Sequence, residues 1–242
     1  MKKLCPFEDR PRKPGPCCSI KPIVTKKSDT LIKSIKILYT NADQLSTKTN
    51  ELKARIDSEK PKIIIITEVN NKHTRLPPDK VLYNLPHFQM FDKNLSKGFR
   101  GILIYIHESI KDVIEVSANS TFEEYLLLSI QINKTERFLI CCIYRNDSGT
   151  QINNIQLNEL IKEVSDLKSS HLLITGDFNY KDIVWDSLTT TKGENSNEYL
   201  FIETVKYCYL HQQVKKHTRA GRHKENPSLL DFFFIYGRRK PG

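Results

Sequence analysis

The chain predicts an α/β fold in which mixed sheets are covered by helices. Three observations lead there. From residue 35 onward, apolar runs of strand length alternate with amphipathic stretches of helix length. Between residues 101 and 144 four strand candidates follow one another across short turns, the pattern of antiparallel neighbours. Four of the apolar strands end in a polar residue able to carry chemistry, and open α/β sheets collect ligands outside their strand ends.

The elements follow in order. Ile35-Lys36-Ile37-Leu38-Tyr39 alternates as a first strand should. A helix is expected over 46–59, with Leu45, Leu52 and Ile56 at inward positions. Pro61 stops it, and Ile63-Ile64-Ile65-Ile66 is apolar throughout, as in a strand buried on both faces. These pieces make one βαβ unit. Residues 70–100 read as loop, with Pro77-Pro78 and several Lys and Asn. Strands are expected at 101–106, 113–116, 125–132 and 137–144. A helix at 154–167 leads to a buried strand at 171–175. A polar loop at 180–196, a helix at 197–209 and a last strand at 229–235 complete the domain. Trp185 is expected to serve packing.

The chain has 242 residues, enough for one domain with a sizeable core. No run of about 18 apolar residues occurs, so no membrane contact is expected. The N-terminus is basic but lacks the apolar segment of a secretory signal. The six Cys form no Cys-x-x-Cys pair, and Cys141-Cys142 lie inside an apolar strand, which reads as reduced thiols in an intracellular protein. The four Asn-x-Ser/Thr sequons, beginning at Asn94, Asn119, Asn133 and Asn146, then carry no meaning.

Net charge is +10, and its distribution is uneven. Residues 1–30 hold eight Lys/Arg against three Asp/Glu, together with five Pro, and read as a disordered basic extension. Arg238, Arg239 and Lys240 lie in a basic tail spanning 238–242, and the body at 31–237 keeps only about +2 of the ten. A basic footprint for nucleic acid therefore lies at the two ends.

The most informative stretch is Gly176-Asp177-Phe178-Asn179, which ends the apolar run Leu172-Leu173-Ile174-Thr175. Two residues apart on an extended backbone, Asp177 and Asn179 would share a face. An anionic base beside a neutral amide suits holding and deprotonating a water next to a phosphate. Asn41 follows the first strand, Glu68 the isoleucine run, and Tyr144-Arg145 the run Cys141-Cys142-Ile143.

In this order the pieces resemble the endonuclease/exonuclease/phosphatase superfamily. The branch of endonuclease domains from LINE-type (non-LTR) retrotransposons fits best. Asn41-Ala42-Asp43, Ile66-Thr67-Glu68, Ile143-Tyr144-Arg145, Gly176-Asp177-Phe178-Asn179 with Asp182-Ile183-Val184-Trp185, His217-Thr218-Arg219 and Ser228-Leu229-Leu230-Asp231 carry the resemblance across residues 33–237.

The resemblance implies a four-layer sandwich of two mixed β-sheets flanked by helices. It also implies the roles. Glu68 holds a divalent cation, Mg²⁺ with Mn²⁺ as the alternative, and Asn41 positions it or the phosphate. Asp177 orients or deprotonates the attacking water, and Asn179 fixes its geometry. Tyr144 donates to a phosphate oxygen. Arg145 adds charge there or is a plain surface arginine. Thr218 and Arg219 contact the DNA backbone. Asp231 buttresses a catalytic histidine in a downstream Ser-Asp-His strand. This sequence reaches Gly242 without that strand, and all seven His precede Asp231. The expectation is a C-terminally truncated domain with its last strand missing.

The activity implied is a metal-dependent phosphodiesterase that nicks target DNA for reverse transcription, impaired by loss of the terminal histidine. Its partners would be DNA and a reverse transcriptase encoded in the same element, and its location the nucleus. One alternative is a catalytically inactive remnant that binds metal or DNA weakly. The other is a phosphatase of the same superfamily acting on small or lipid phosphoesters.

Overall fold

The computed structural model describes residues 34–71, 73, 79–95, 99–167, 169–219 and 228–236. The extension at 1–30, the tail at 238–242 and Pro77-Pro78 lie outside the described residues.

β1 (Ile37–Asn41) leads through a 3-10 turn at Leu45–Thr47 into α1 (Thr49–Glu59) and β2 (Ile63–Thr67). A second 3-10 turn, Lys80–Tyr83, precedes β3 (Phe88–Lys93), β4 (Ile102–His107), β5 (Val113–Val116), β6 (Tyr125–Gln131) and β7 (Arg137–Tyr144). Then come α2 (Gln151–Asp166), β8 (His171–Asp177), β9 (Ile183–Val184), β10 (Thr189–Thr190), α3 (Asn197–Tyr207), β11 (Leu210–Gln212) and β12 (Asp231–Tyr236).

Two mixed sheets result. The first runs β1-β2-β4-β3, with β1 and β2 parallel and the other pairs antiparallel. The second runs β11-β12-β8-β7-β6-β5, with only β7 and β8 parallel. Three apolar clusters define four layers. Ile37, Ile63, Ile65 and Ile104 of the first sheet meet Leu126, Leu128, Ile140 and Phe233 of the second. The reverse face of the first sheet, with Leu38, Ile64 and Ile66, packs on Leu45 and Leu52. The reverse face of the second, with Leu139, Ile174 and Phe234, packs on Leu157, Leu160 and Phe201 of α2 and α3. The isoleucine run is thus buried on both faces, and each of its four side chains contributes about 1.5–3 kcal/mol by leaving water. The four-layer sandwich of two mixed sheets is the fold the sequence predicts.

Several boundaries differ from expectation. β1 lies two residues later than read, because pairing with β2 places Ile37 against Ile63 and Asn41 against Thr67. β3 falls inside the span read as loop. It is a half-buried strand flanked by polar residues, held by its pairing with β4 rather than by a long apolar run. α2 begins three residues early, because the Thr150 hydroxyl accepts from the Asn153 amide and caps it. α3 ends at Tyr207, two residues before the expected end; Tyr209 turns through the left-handed region (φ 53°) and leads into β11, a strand the sequence reading did not expect. The polar loop at 180–196 holds the small hairpin of β9 and β10. Trp185 packs on Phe232 and Phe234, at 4.6 and 5.6 Å between ring centroids. Cys141 and Cys142 are buried and free. No helix of the described residues is long and apolar enough to cross a membrane.

Candidate active site

Three strands of the second sheet end in one row. β7 and β8 run parallel with Tyr144 beside Asp177, and β12 runs antiparallel to β8 with Asp231 opposite Asp177. Tyr144, Asp177 and Asp231 are therefore neighbours across the sheet, although 87 residues separate the first from the last. The row is tight because of Gly176, whose φ of 147° and contact with the β7 backbone leave no room for a side chain: a Cβ would overlap the Ile143 carbonyl oxygen.

The first sheet supplies the opposite wall. Asn41 and Thr67 are paired at the ends of β1 and β2, and Glu68 follows at once. Two hydrogen bonds join the sheets here. Asn41 Nδ2 donates to Asp177 Oδ2 at 2.7 Å. The Tyr39 hydroxyl donates to Asp231 Oδ1 at 2.6 Å and also bonds Thr67 Oγ1 at 2.9 Å. Glu68 sits at φ 55°, an uncommon conformation for a residue with a side chain, where the chain leaves β2.

The charges at this opening are crowded. Burial pushes the Asp177 carboxyl well above the usual carboxylate range, and Asp231 and then Glu68 push it further; bonds from Asn179 and Asn41 oppose them. Burial raises Asp231 to about 6, against the bonds from Tyr39 and Thr218. The Tyr144 phenol is held protonated by burial and by Glu68 and Asp177, and its hydroxyl has no hydrogen-bond partner among the described residues. Glu124 opposes Tyr144 where β6 enters the sheet, with the Tyr144 amide donating to the Glu124 carbonyl at 2.9 Å. Burial and the adjacent Glu123 raise its carboxyl to about 7.

Asn41, Glu68, Tyr144, Asp177 and Asp231 thus come together as expected. Of the remaining four, Asn179 and Arg145 depart from the expected geometry, and Thr218 and Arg219 lie at the entry to β12. The strand ends at Asp177, and Asn179 turns at φ 52°, so the two side chains do not share an extended face. Asn179 instead donates from its amide N–H to Asp177 Oδ1 at 3.2 Å, and from Nδ2 to the Arg145 carbonyl at 2.8 Å. Arg145 is neither a surface residue nor open to a phosphate: it is 4% exposed. Its guanidinium donates to Asn154 Oδ1 at 2.6 Å and to the Phe178 and Asn179 carbonyls, and it stacks over the Tyr180 ring at 4.0 Å. It shapes the loop that carries Asn179. The Thr218 hydroxyl accepts from the Leu230 and Asp231 amides and caps the start of β12. Arg219 is exposed, in an isolated bridge with Ser228.

Comparison with known proteins follows this geometry. The family model described as endonuclease-reverse transcriptase matches residues 138–238. The endonuclease domain of TRAS1, a telomere-specific non-LTR retrotransposon, superposes with a TM-score of 0.57 at 16% identity, over 82% of each chain. The AP endonuclease LMAP from Leishmania major gives 0.60 at 15% identity, over 83% of this chain and 78% of its own. The 3′ phosphatase NExo from Neisseria, bound to product DNA hairpin, gives 0.57 at 13% identity, over 83% of this chain and 86% of its own.

This is the endonuclease/exonuclease/phosphatase fold.

A search of curated proteins finds no match. The superfamily resemblance read from the motifs is borne out by the family match and by the fold. Nucleases with the endonuclease/exonuclease/phosphatase fold generally use divalent metal ions, and the residues here fit one. Hard carboxylate oxygens of Glu68 and Asp177 lie close enough that the Glu68 charge raises the Asp177 carboxyl. Among the described residues no three His, Cys, Asp or Glu converge to hold an ion unaided. An ion here would need waters or phosphate oxygens to complete its ligand set. Both polar atoms of the Asn41 amide are already engaged, Nδ2 with Asp177 and Oδ1 with the Asp43 amide at 3.0 Å.

Three residues of the site were missed by sequence reasoning. Tyr39 was visible only as an alternating strand residue. Glu124 precedes a strand and looks like any solvated carboxylate. Arg100 pairs with Glu68 and Asp43, and lay in a stretch read as featureless loop.

Proposed function

We propose that the chain is a metal-dependent phosphodiesterase that nicks DNA, of the kind that opens a target site for reverse transcription. The observation that carries it is the pair of bonds joining the sheets, Asn41 to Asp177 and Tyr39 to Asp231, which hold Glu68, Tyr144, Asp177 and Asp231 around one opening. Asp177 is the base that takes the proton of the attacking water, and its raised affinity for protons makes it a stronger acceptor than an ordinary carboxylate. Asn41 holds one Asp177 oxygen, and the Asn179 amide N–H holds the other. Tyr144, protonated and unpartnered, donates to a phosphate oxygen. Asp231 is kept in place by Tyr39. A divalent ion, held by Glu68, would supply positive charge against the phosphate. DNA as substrate agrees with the endonuclease domain of TRAS1 and with NExo, which is bound to a product DNA hairpin. Under this reading the partners are DNA and a reverse transcriptase of the same element, and the protein acts in the nucleus.

The test is nicking of supercoiled plasmid with and without Mg²⁺, alongside inositol phosphates as small phosphoesters. Plasmid nicking that needs Mg²⁺ and falls at least about 10²-fold in Asp177→Asn supports the reading. The same variant removes repulsion from Asp231 and Glu68 and should be as stable as the wild type or more so, as checked by thermal melting. Nicking unaffected by the substitution removes Asp177 from the mechanism. Turnover of inositol phosphates without nicking assigns the chain to small phosphoesters instead.

A further inference from the structure

We infer that Arg100 is a built-in occupant of the Glu68 carboxylate and that a divalent cation binds there only in competition with it. The inference rests on the metal reading of Glu68 and goes beyond it, because it assigns a resident counter-charge within the protein.

The Arg100 side chain is 8% exposed. Its Nη2 donates both to Glu68 and to Asp43 Oδ1, the latter at 2.8 Å, while Nη1 donates to the Asn70 carbonyl at 2.6 Å. The segment that carries it is clipped to the end of β2 by three further bonds. The Asn70 amide donates to the Arg100 carbonyl at 2.7 Å, Asn70 Nδ2 donates to the Phe99 carbonyl at 3.1 Å, and the Val69 amide donates to the Gly101 carbonyl at 3.4 Å. The guanidinium is therefore held in place by the fold. It is not a surface side chain that happens to rest on a carboxylate. The guanidinium occupies Oε2 of Glu68, and two like-signed centres on one carboxylate repel each other at close range. Without Arg100, Glu68 and Asp43 lose a shared counter-charge, and the demand for an external cation rises. Two buried atoms beside the pair, Arg100 Nε and Asn70 Oδ1, lack partners, so the contact is made at the expense of complete hydrogen bonding.

Mn²⁺ binding to the full chain, followed by titration calorimetry, tests this without relying on turnover. Five proteins are compared after circular dichroism confirms folding: wild type, Arg100→Gln, Arg100→Lys, Glu68→Gln and the double variant of Arg100→Gln with Glu68→Gln. Arg100→Gln should bind Mn²⁺ at least tenfold more tightly than wild type, and Arg100→Lys, which keeps the charge, should stay close to wild type. The gain should vanish when Glu68→Gln is added to Arg100→Gln. Binding that depends on Glu68 but is unchanged or weaker in Arg100→Gln overturns the competition and leaves the metal reading intact. Binding that ignores Glu68 in every protein, or no binding at all, removes both. If Arg100→Gln does not fold, a Mg²⁺ titration of wild type followed at the Arg100 ¹⁵Nε resonance decides. A shift that tracks Mg²⁺ occupancy supports displacement, and a resonance unmoved at saturation overturns it.

Discussion

Tyr39 bears more of the site than its place in a strand pattern suggests. Its hydroxyl reaches across the two sheets to Asp231 and sideways to Thr67. Burial raises its own proton affinity, and Asp231 and Asp177 raise it further, so it remains a donor. Tyr39→Phe keeps the ring, which packs edge-on against Phe233 at 5.4 Å, and deletes only the oxygen. The Asp231 acceptor and the Thr67 hydroxyl donor then each lose a partner, which should lower stability by about 1–3 kcal/mol in denaturant titrations. The Asp231 carboxyl should titrate higher in the variant, because the Tyr39 bond holds it down. A variant as stable as wild type with Asp231 unmoved would show that the bond across the sheets contributes nothing. Arg145 teaches the converse lesson. The residue type invites a phosphate, yet all its interactions run to Asn154, the Phe178–Asn179 backbone and Tyr180.

At the scale of elements, the site depends on how close β7 and β8 approach. Their parallel ladder runs from Phe138 and His171 to Tyr144 and Asp177, and position 176 lies opposite Ile143. Any side chain at 176 meets the Ile143 carbonyl, and φ there is 147°. Gly176→Ala must part the two strands at the point where Tyr144 and Asp177 are aligned. A loss of about 2–4 kcal/mol, or failure to accumulate soluble protein, is expected from strain of this kind. Chemical denaturation measures it, and a change under about 0.5 kcal/mol would mean the backbone relaxes freely. The connections follow the same logic: β2 can run into a left-handed Glu68 because Val69 and Asn70 are tied to Gly101 and Arg100 by backbone bonds.

For the molecule as a whole, several carboxyls are gathered at one end of the sandwich with raised proton affinity. Glu124 reaches about 7, Asp231 about 6, and Asp177 is also raised. A group whose folded pKa lies above its unfolded value keeps its proton in the folded state after the unfolded chain has lost it. The stability associated with it is complete below the unfolded value near 4 and is lost as pH rises through the folded value. Without divalent ions, melting temperature should therefore fall as pH rises from about 4 through 7, against the usual loss of stability in acid. Glu124→Gln should flatten the upper part of that fall by about 1–2 kcal/mol, a figure reduced because the side chain is only half-buried. A wild type whose stability rises steadily from pH 4 to 7.5 would contradict this charge arrangement.

The α/β class, most strands, the three helices of the described residues and four of the nine proposed site residues follow from local pattern. Ile63 to Ile66 could only be a doubly buried strand, and a polar residue after such a strand must surface at its end. Asn41, Glu68, Tyr144 and Asp177 are those residues, while Asp231, which opens β12, was read from the resemblance. Tertiary structure alone decided the rest, because those features depend on partners remote in sequence. β3 is a strand through β4, Arg100 is a buried ion-pair partner through Glu68 and Asp43, and Arg145 is a loop clamp through Asn154 and Tyr180. Periodicity reports which face of an element is apolar. It carries no information about which distant side chain meets a given charge once two sheets close on each other.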